Sequence, residues 1–233
     1  MPRFLPSAAA GLALLLAACG EEQPAGGHAE TAPAHESRAA TPLGKGFDFY
    51  VLSLSWSPSW CAENDAGGGG EQCRKGGGYG FIVHGLWPQY ERGYPEFCPT
   101  RQPDRVPDAL GRTVMDIIPS MGLIGHQWRK HGSCSGLGQK DYFSVVRAAR
   151  ERIAIPPGLA RIRATERMSP EAVEQAFLTA NPGLARKGVA VTCEDGRLAE
   201  VRICLTSDLA FRPCPEVDRA ACRAKTVELP PIR

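Results

Sequence analysis

The chain is 233 residues long, 43% hydrophobic and 22% charged, with a formal net charge of +2. That is ordinary globular composition rather than that of a disordered chain. A balance so close to neutral excludes binding a polyanion through bulk charge alone, so any such partner must be held by local groups.

Met1 to Ala18 reads as a targeting segment. Arg3 gives the positive start, and Leu12 to Ala18 is an apolar run too short to span a bilayer. Leu16-Ala17-Ala18-Cys19 resembles a bacterial lipoprotein signal, in which Cys19 becomes the lipidated first residue. Gly20, where an Asp would retain such a protein elsewhere, leans toward an outer-membrane destination. Several acyl chains anchor a protein stably where a single one does not. Residues 19–46 contain no aromatic and are rich in Ala, Gly, Pro and Glu. They are expected to form a flexible tether reaching roughly 27 Å. One folded domain is expected over 47–233.

Within that domain Phe47 to Trp56 alternates and is rich in β-formers, so it is a predicted strand. Residues 64–70 and 76–78 are loop. The glycines at 67–70 lack the Lys-Ser/Thr ending of a phosphate-cradling loop. Phe81 to Val83 is strand-like, with His84 ending it and Gly85 and Pro88 breaking the backbone beyond. Pro107 to Ile118 reads as helix, and a short helix runs from His126 to His131. A further helix runs from Asp141 to Ile153. Ser169 caps one that starts at Pro170 and runs to about Ala180. Gly188–Cys193 and Arg197–Thr206 are strands joined by the hairpin signal Glu194-Asp195-Gly196.

The chemistry concentrates in Gly125-His126-Gln127-Trp128-Arg129-Lys130-His131-Gly132-Ser133-Cys134. On a helix advancing about 100° per residue, His126, Lys130, Gln127 and His131 fall within roughly 140° of one another. Trp128 and Arg129 fall on the other side. One face then carries proton donors and acceptors, and the opposite face can bury an indole. Such a face suits an anion whose charge changes during a reaction. His84, at a strand end, supplies a second imidazole to oppose the first.

The blocks His84-Gly85-Leu86-Trp87-Pro88 and His126-Gln127-Trp128-Arg129-Lys130-His131-Gly132-Ser133-Cys134 together resemble the ribonuclease T2 family. The resemblance extends from Phe47 to Cys222. With the elements above it implies an α+β fold: a single disulfide-stapled domain whose central, mostly antiparallel sheet is packed with several helices. It departs from the family at Gln127, usually Glu, and at Gln89, often acidic. Setting Cys19 aside leaves eight cysteines, hence four disulfides in about 105 possible pairings. The resemblance implies Cys61–Cys73, Cys98–Cys134, Cys193–Cys222 and Cys204–Cys214.

It further implies an endoribonuclease that cleaves single-stranded RNA without metal or other cofactor. His131 would act as base and His84 as acid, with His126, Lys130 and Gln127 around the phosphate. Trp87 would stack a base, with Gln89 and Tyr90, and more weakly Tyr94, near it. Imidazole can give or take a proton near neutral pH. The product would be a 2′,3′-cyclic phosphate. The reading requires the rings of His84 and His131 to meet across one sugar–phosphate link, both reachable from water. A monomer is expected, exported to the periplasm and held to the outer membrane only through Cys19, or else secreted. Gln127, which cannot titrate, is expected to leave the enzyme active with an altered pH profile. Two rivals stand beside this reading: a non-catalytic RNA binder, favoured only by Gln127, and a metal hydrolase. His126 and His131 lie five apart, not at the four-residue spacing that puts two ligands on one helical face.

Overall fold

The computed structural model describes residues 40–233. The targeting segment, Cys19 and most of the tether lie outside the described residues. Gly44 to Gly46, assigned to the tether by composition, lie against the domain. The Lys45 amide donates to the Ser135 carbonyl at 2.9 Å, and a side chain at Gly44 would meet Tyr50 and Phe47.

Twelve helices and strands are built from this stretch: β1 (Phe49–Trp56), α1 (Ser57–Asn64), β2 (Phe81–Gln89), α2 (Asp108–Arg112), α3 (Met121–Lys130), α4 (Gln139–Glu151), β3 (Glu166–Met168), α5 (Pro170–Ala180), β4 (Val189–Glu194), β5 (Arg197–Leu205), α6 (Pro215–Arg219) and β6 (Val227–Leu229). The sheet runs β2-β1-β5-β6-β3, with β4 paired to β5; every pairing is antiparallel except β5 with β6. The alternation of β1 decides its faces. Tyr50, Leu52, Leu54 and Trp56 enter the main core, which Ile124 and Trp128 of α3, Tyr142, Phe143, Val145 and Val146 of α4 and Phe177 of α5 fill from the helices. Phe49 and Val51 face the other way, into a smaller cluster with Cys204 and Cys214. Four disulfides close, and they are the four pairs the family resemblance implies.

Two departures from the expected elements shape the site. The strand does not end at His84 but continues to Gln89. β2 is an edge of the sheet, where a proline's missing N–H goes unneeded. Gly85 is absorbed because the β1–β2 register shifts: Leu54 faces Val83 and Ser53 faces Gly85, leaving His84 as the extra residue of a bulge. The bulge puts Val83 and Leu86, three apart, both in the core. His84 and Trp87, also three apart, come together elsewhere.

The second departure is the motif helix, which begins five residues before His126. Ser120 caps it by accepting the Leu123 amide at 3.2 Å, directly after Pro119. It ends at Lys130. His131 is the C-cap, at φ −121° and ψ −46°, and a short 3-10 turn follows over Gly132–Cys134. The predicted helix over 107–118 shrinks to α2, and α4 starts at Gln139 after Gly138 rather than at Asp141.

Candidate active site

The bulge gives His84 its position. Its side chain is 38% exposed, and its Nδ1 bonds the carboxylate of Glu200, which is only 11% exposed. The other Glu200 oxygen accepts a hydrogen bond from Arg202 Nε at 2.8 Å, and a terminal guanidinium nitrogen of the same arginine lies in ion-pair contact at 2.7 Å. Burial pushes the Glu200 carboxyl up, but the His84 hydrogen bond and the Arg202 charge outweigh it and hold the group down at about 2. Sequence reasoning missed both residues. Their face is set by a second bulge. Thr192 pairs Glu200 and Cys193 pairs Leu198, so Ala199 is left over. Leu198 and Val201 thereby both reach the core, and the pattern from Leu198 alone would point Glu200 inward. The available signal was a Glu and an Arg two apart within the apolar run Leu198 to Leu205 of a central strand.

Trp87 links the two histidines. Its ring meets His84 edge-on at 5.4 Å between centroids, and lies stacked with His131 at 5.3 Å and 28°. The Arg202 guanidinium sits 5.2 Å above the same indole. The Trp87 N–H donates to Gln127 Oε1 at 2.9 Å. That bond crosses over Gly85, where a Cβ would collide with both Gln127 Oε1 and Trp87 Nε1. Gln127 is therefore buried, 1% exposed, and does not lie on an open face beside His126.

His131 departs from the expectation that both rings are open to water: it is 6% exposed. The helix has ended beneath it, and Trp87 covers it. Its Nδ1 is buried without a hydrogen-bond partner. Burial first, then the charges of Lys130, His84 and His126, bring this imidazole down to about 3, so it is neutral at ordinary pH.

His126 is exposed, and desolvation followed by the nearby Lys130, Arg129 and His84 charges lowers its titration. Lys130 pairs with Glu96 at 3.4 Å. The segment carrying Glu96 is tied to the end of α3 twice more. The Phe97 amide donates to the Lys130 carbonyl at 2.9 Å, and Cys98 is bonded to Cys134. Gln89 is buried, its amide turned onto the Pro88 carbonyl, while Tyr90 is 43% exposed. Neither lines the cleft that opens beside His84.

That cleft, about 920 Å³, is walled by His84, Glu200, Arg202, Trp60, Asn64 and Leu123 among others. His131 and Trp87 stand outside it, so His84 forms the border between the cleft and the buried imidazole. Among the described residues no group of three His, Cys, Asp or Glu side chains converges as metal ligands do.

The family model of the ribonuclease T2 family matches residues 47–214, and the chain belongs to that family. It is 43% identical over 106 residues to a ribonuclease of Aeromonas hydrophila, covering 46% of each chain. Over 121 residues it is 31% identical to a probable ribonuclease of Haemophilus influenzae, covering 47% of this chain and 44% of that one. The match thus spans about half the length of these two relatives. In fold it is similar to an RNase-related protein from Calystegia sepium, with a TM-score of 0.65 and 23% identity over 81% of this chain and all of that one. It is likewise similar to RNase NT, solved with 5′-AMP, with a TM-score of 0.64 and 23% identity over 80% of this chain and all of that one.

Proposed function

We propose that the chain is an endoribonuclease that cleaves single-stranded RNA by internal transesterification. The observation that carries this reading is the pair of imidazoles flanking Trp87 in opposite electrostatic settings. His84 is open and bonded to an ionised carboxylate; His131 is buried and neutral. An open imidazole bonded to a carboxylate beside a buried, neutral one suits an acid and a base.

His131 is not open to water as the sequence reading required, so Trp87 must move aside before the neutral ring takes the proton of the ribose 2′-hydroxyl. The 2′-oxygen attacks the adjacent phosphorus, and the bond from phosphorus to the 5′-oxygen breaks. His84, protonated, gives its proton to that leaving oxygen. The products are a 2′,3′-cyclic phosphate and a free 5′-hydroxyl; water can later open the ring to a 3′-phosphate. A base of low basicity needs help at the moment of transfer. The substrate supplies it, because an anionic phosphate beside His131 favours the imidazolium that forms. Lys130, released from Glu96, and His126 stabilise the charge that builds on the phosphorane. Positioned acid–base groups of this kind contribute roughly 10²–10⁴-fold each.

The cleft beside His84 receives the nucleoside on the leaving-group side. Its volume of about 920 Å³ falls within the roughly 300–1,000 Å³ typical of small-molecule sites. Trp60, 44% exposed as a residue, offers a stacking surface there. Trp87 is half-buried, so only part of its indole is open to a base. The four disulfides fit an oxidising compartment and hence an exported protein. Anchoring through Cys19 belongs to the same proposal.

The test is RNA cleavage in the presence of EDTA, by the native chain and by His84→Ala and His131→Ala. Cleavage that survives chelation and is lost in both variants supports the reading. Cleavage abolished by EDTA supports a metal hydrolase, and RNA binding without turnover supports a non-catalytic binder.

A further inference from the structure

The geometry points to Glu200, braced by Arg202, as the positioning residue that fixes the ring of His84 and keeps its Nε2 turned to the reacting phosphate. The inference rests on the reading of His84 as an acid–base group.

Glu200 is an unusual residue for its place. It lies in the middle of the sheet, on a strand hydrogen-bonded on both sides by β1 and β4. An ionised carboxylate there is costly unless both oxygens are met. Both are: one by His84 Nδ1, the other by the Arg202 guanidinium, which donates from Nε and pairs with it as a cation. A carboxylate that accepts from Nδ1 decides which nitrogen of the neutral ring carries hydrogen there. It leaves Nε2 as the only nitrogen free to exchange a proton with substrate. It also resists rotation of a ring that is 38% exposed and that Trp87 meets edge-on. Arg202 completes the device. It anchors Glu200 from the far side and lies over the Trp87 indole, so one cation braces both partners of His84.

Other groups bear on the same imidazole. His126 and His131 couple to it from α3 and its cap. Glu63 of α1, Glu71, Glu194 of β4 and Arg197 of β5 line the adjoining cleft. None of these is bonded to the ring. Removing the Glu200 charge therefore takes away the one carboxylate bonded to the ring among the described residues, and the protonated form of His84 loses its direct partner.

The experiment tracks the His84 imidazole by NMR in the full chain, beside steady-state cleavage of a defined oligoribonucleotide. In the unaltered protein the neutral His84 ring carries its proton on Nδ1. In Glu200→Gln the His84 titration midpoint moves down, and kcat falls at least about tenfold while KM changes less than about threefold. Arg202→Met removes a cation from the same group and moves the midpoint up. Glu200→Asp, which keeps the charge, recovers part of the lost kcat. An unmoved His84 midpoint in folded Glu200→Gln contradicts the inference while leaving the ribonuclease reading intact. A midpoint that moves with turnover unchanged removes His84 from the chemistry, and the positioning role with it. Should Glu200→Gln fail to fold, the tautomer in the native chain decides: a neutral His84 ring with a bare Nδ1 overturns the inference.

Discussion

Trp87 lies stacked on His131, their centroids 5.3 Å apart, with its N–H fixed on Gln127. The indole thus shields the imidazole assigned as base, and the helix that carries Gln127 sets where the indole lies. The bond between Trp87 and Gln127 passes over the Cβ-less backbone of Gly85.

Gly85→Ala tests that junction. A methyl group there collides with Gln127 and Trp87, so one of them must move. Overpacking of this kind costs about 1–3 kcal/mol. The expected result is a lower urea midpoint together with a fall in kcat of at least tenfold, since His131 loses its cover. A variant as stable and active as the native chain contradicts the packing described.

Gln127→Glu restores the residue usual in the family. The new carboxylate can still accept the Trp87 N–H, but it is placed where the side chain is 1% exposed. Burial raises a carboxyl's pKa, so the folded state favours the protonated form. Stability is then greatest below about pH 4.3, the unfolded value, and is lost as pH rises through the raised folded value. Urea unfolding at pH 5 and pH 8 should show a deficit relative to the native chain of about 1–3 kcal/mol at pH 8, shrinking at pH 5. The native chain, with Gln127, is expected to cleave RNA.

The native domain itself should weaken on acidification. His131 titrates at about 3 when folded against 6.5 as an ordinary imidazole, so the unfolded chain binds more protons between those values. Its contribution is present above pH 6.5 and is lost as pH falls toward 3. Glu200, at about 2 against 4.5, adds a loss below pH 4.5 in the same direction. Thermal melting from pH 8 to pH 4 should show a falling midpoint, worth a few kcal/mol at most. In His131→Asn the decline between pH 6.5 and 4.5 should flatten.

Binding of an anion should reverse part of this. Inorganic phosphate or a nucleoside 3′-monophosphate beside His131 favours its charged form. The His131 titration tracked by NMR should move up from about 3 as either is added. A midpoint unmoved at saturating nucleotide places the phosphate somewhere else.

Much of this site was legible in the sequence, and the parts that were not share a cause. The alternation of β1 is strict, so its two faces are set by it. Ser169-Pro170 carries its own cap, and the Ser169 hydroxyl does accept the Ala172 amide at 3.1 Å. The hairpin at Asp195-Gly196 has both residues at positive φ, as its composition demands. His84, Trp87, Gln127 and His131 come together as two sequence blocks suggested. Irregularities hid the rest. A bulge at His84 let β2 run on through Gly85 and Pro88, and a bulge at Ala199 turned Glu200 toward His84. A helical wheel carried to His131 could not show that the helix stops at Lys130 and leaves that ring under Trp87. Periodicity describes regular backbone, and this site is built where the backbone is irregular.

The central claim is that the attacking group is the substrate's own 2′-hydroxyl, with His131 taking its proton and His84 protonating the leaving oxygen. The most direct measurement is product analysis on a defined oligoribonucleotide beside the same oligonucleotide carrying a single 2′-deoxy ribose. The expected result is a 2′,3′-cyclic phosphate at every cleaved position and no cleavage at the 2′-deoxy link. Cleavage at that link, or a first-formed 5′-phosphate, would contradict it.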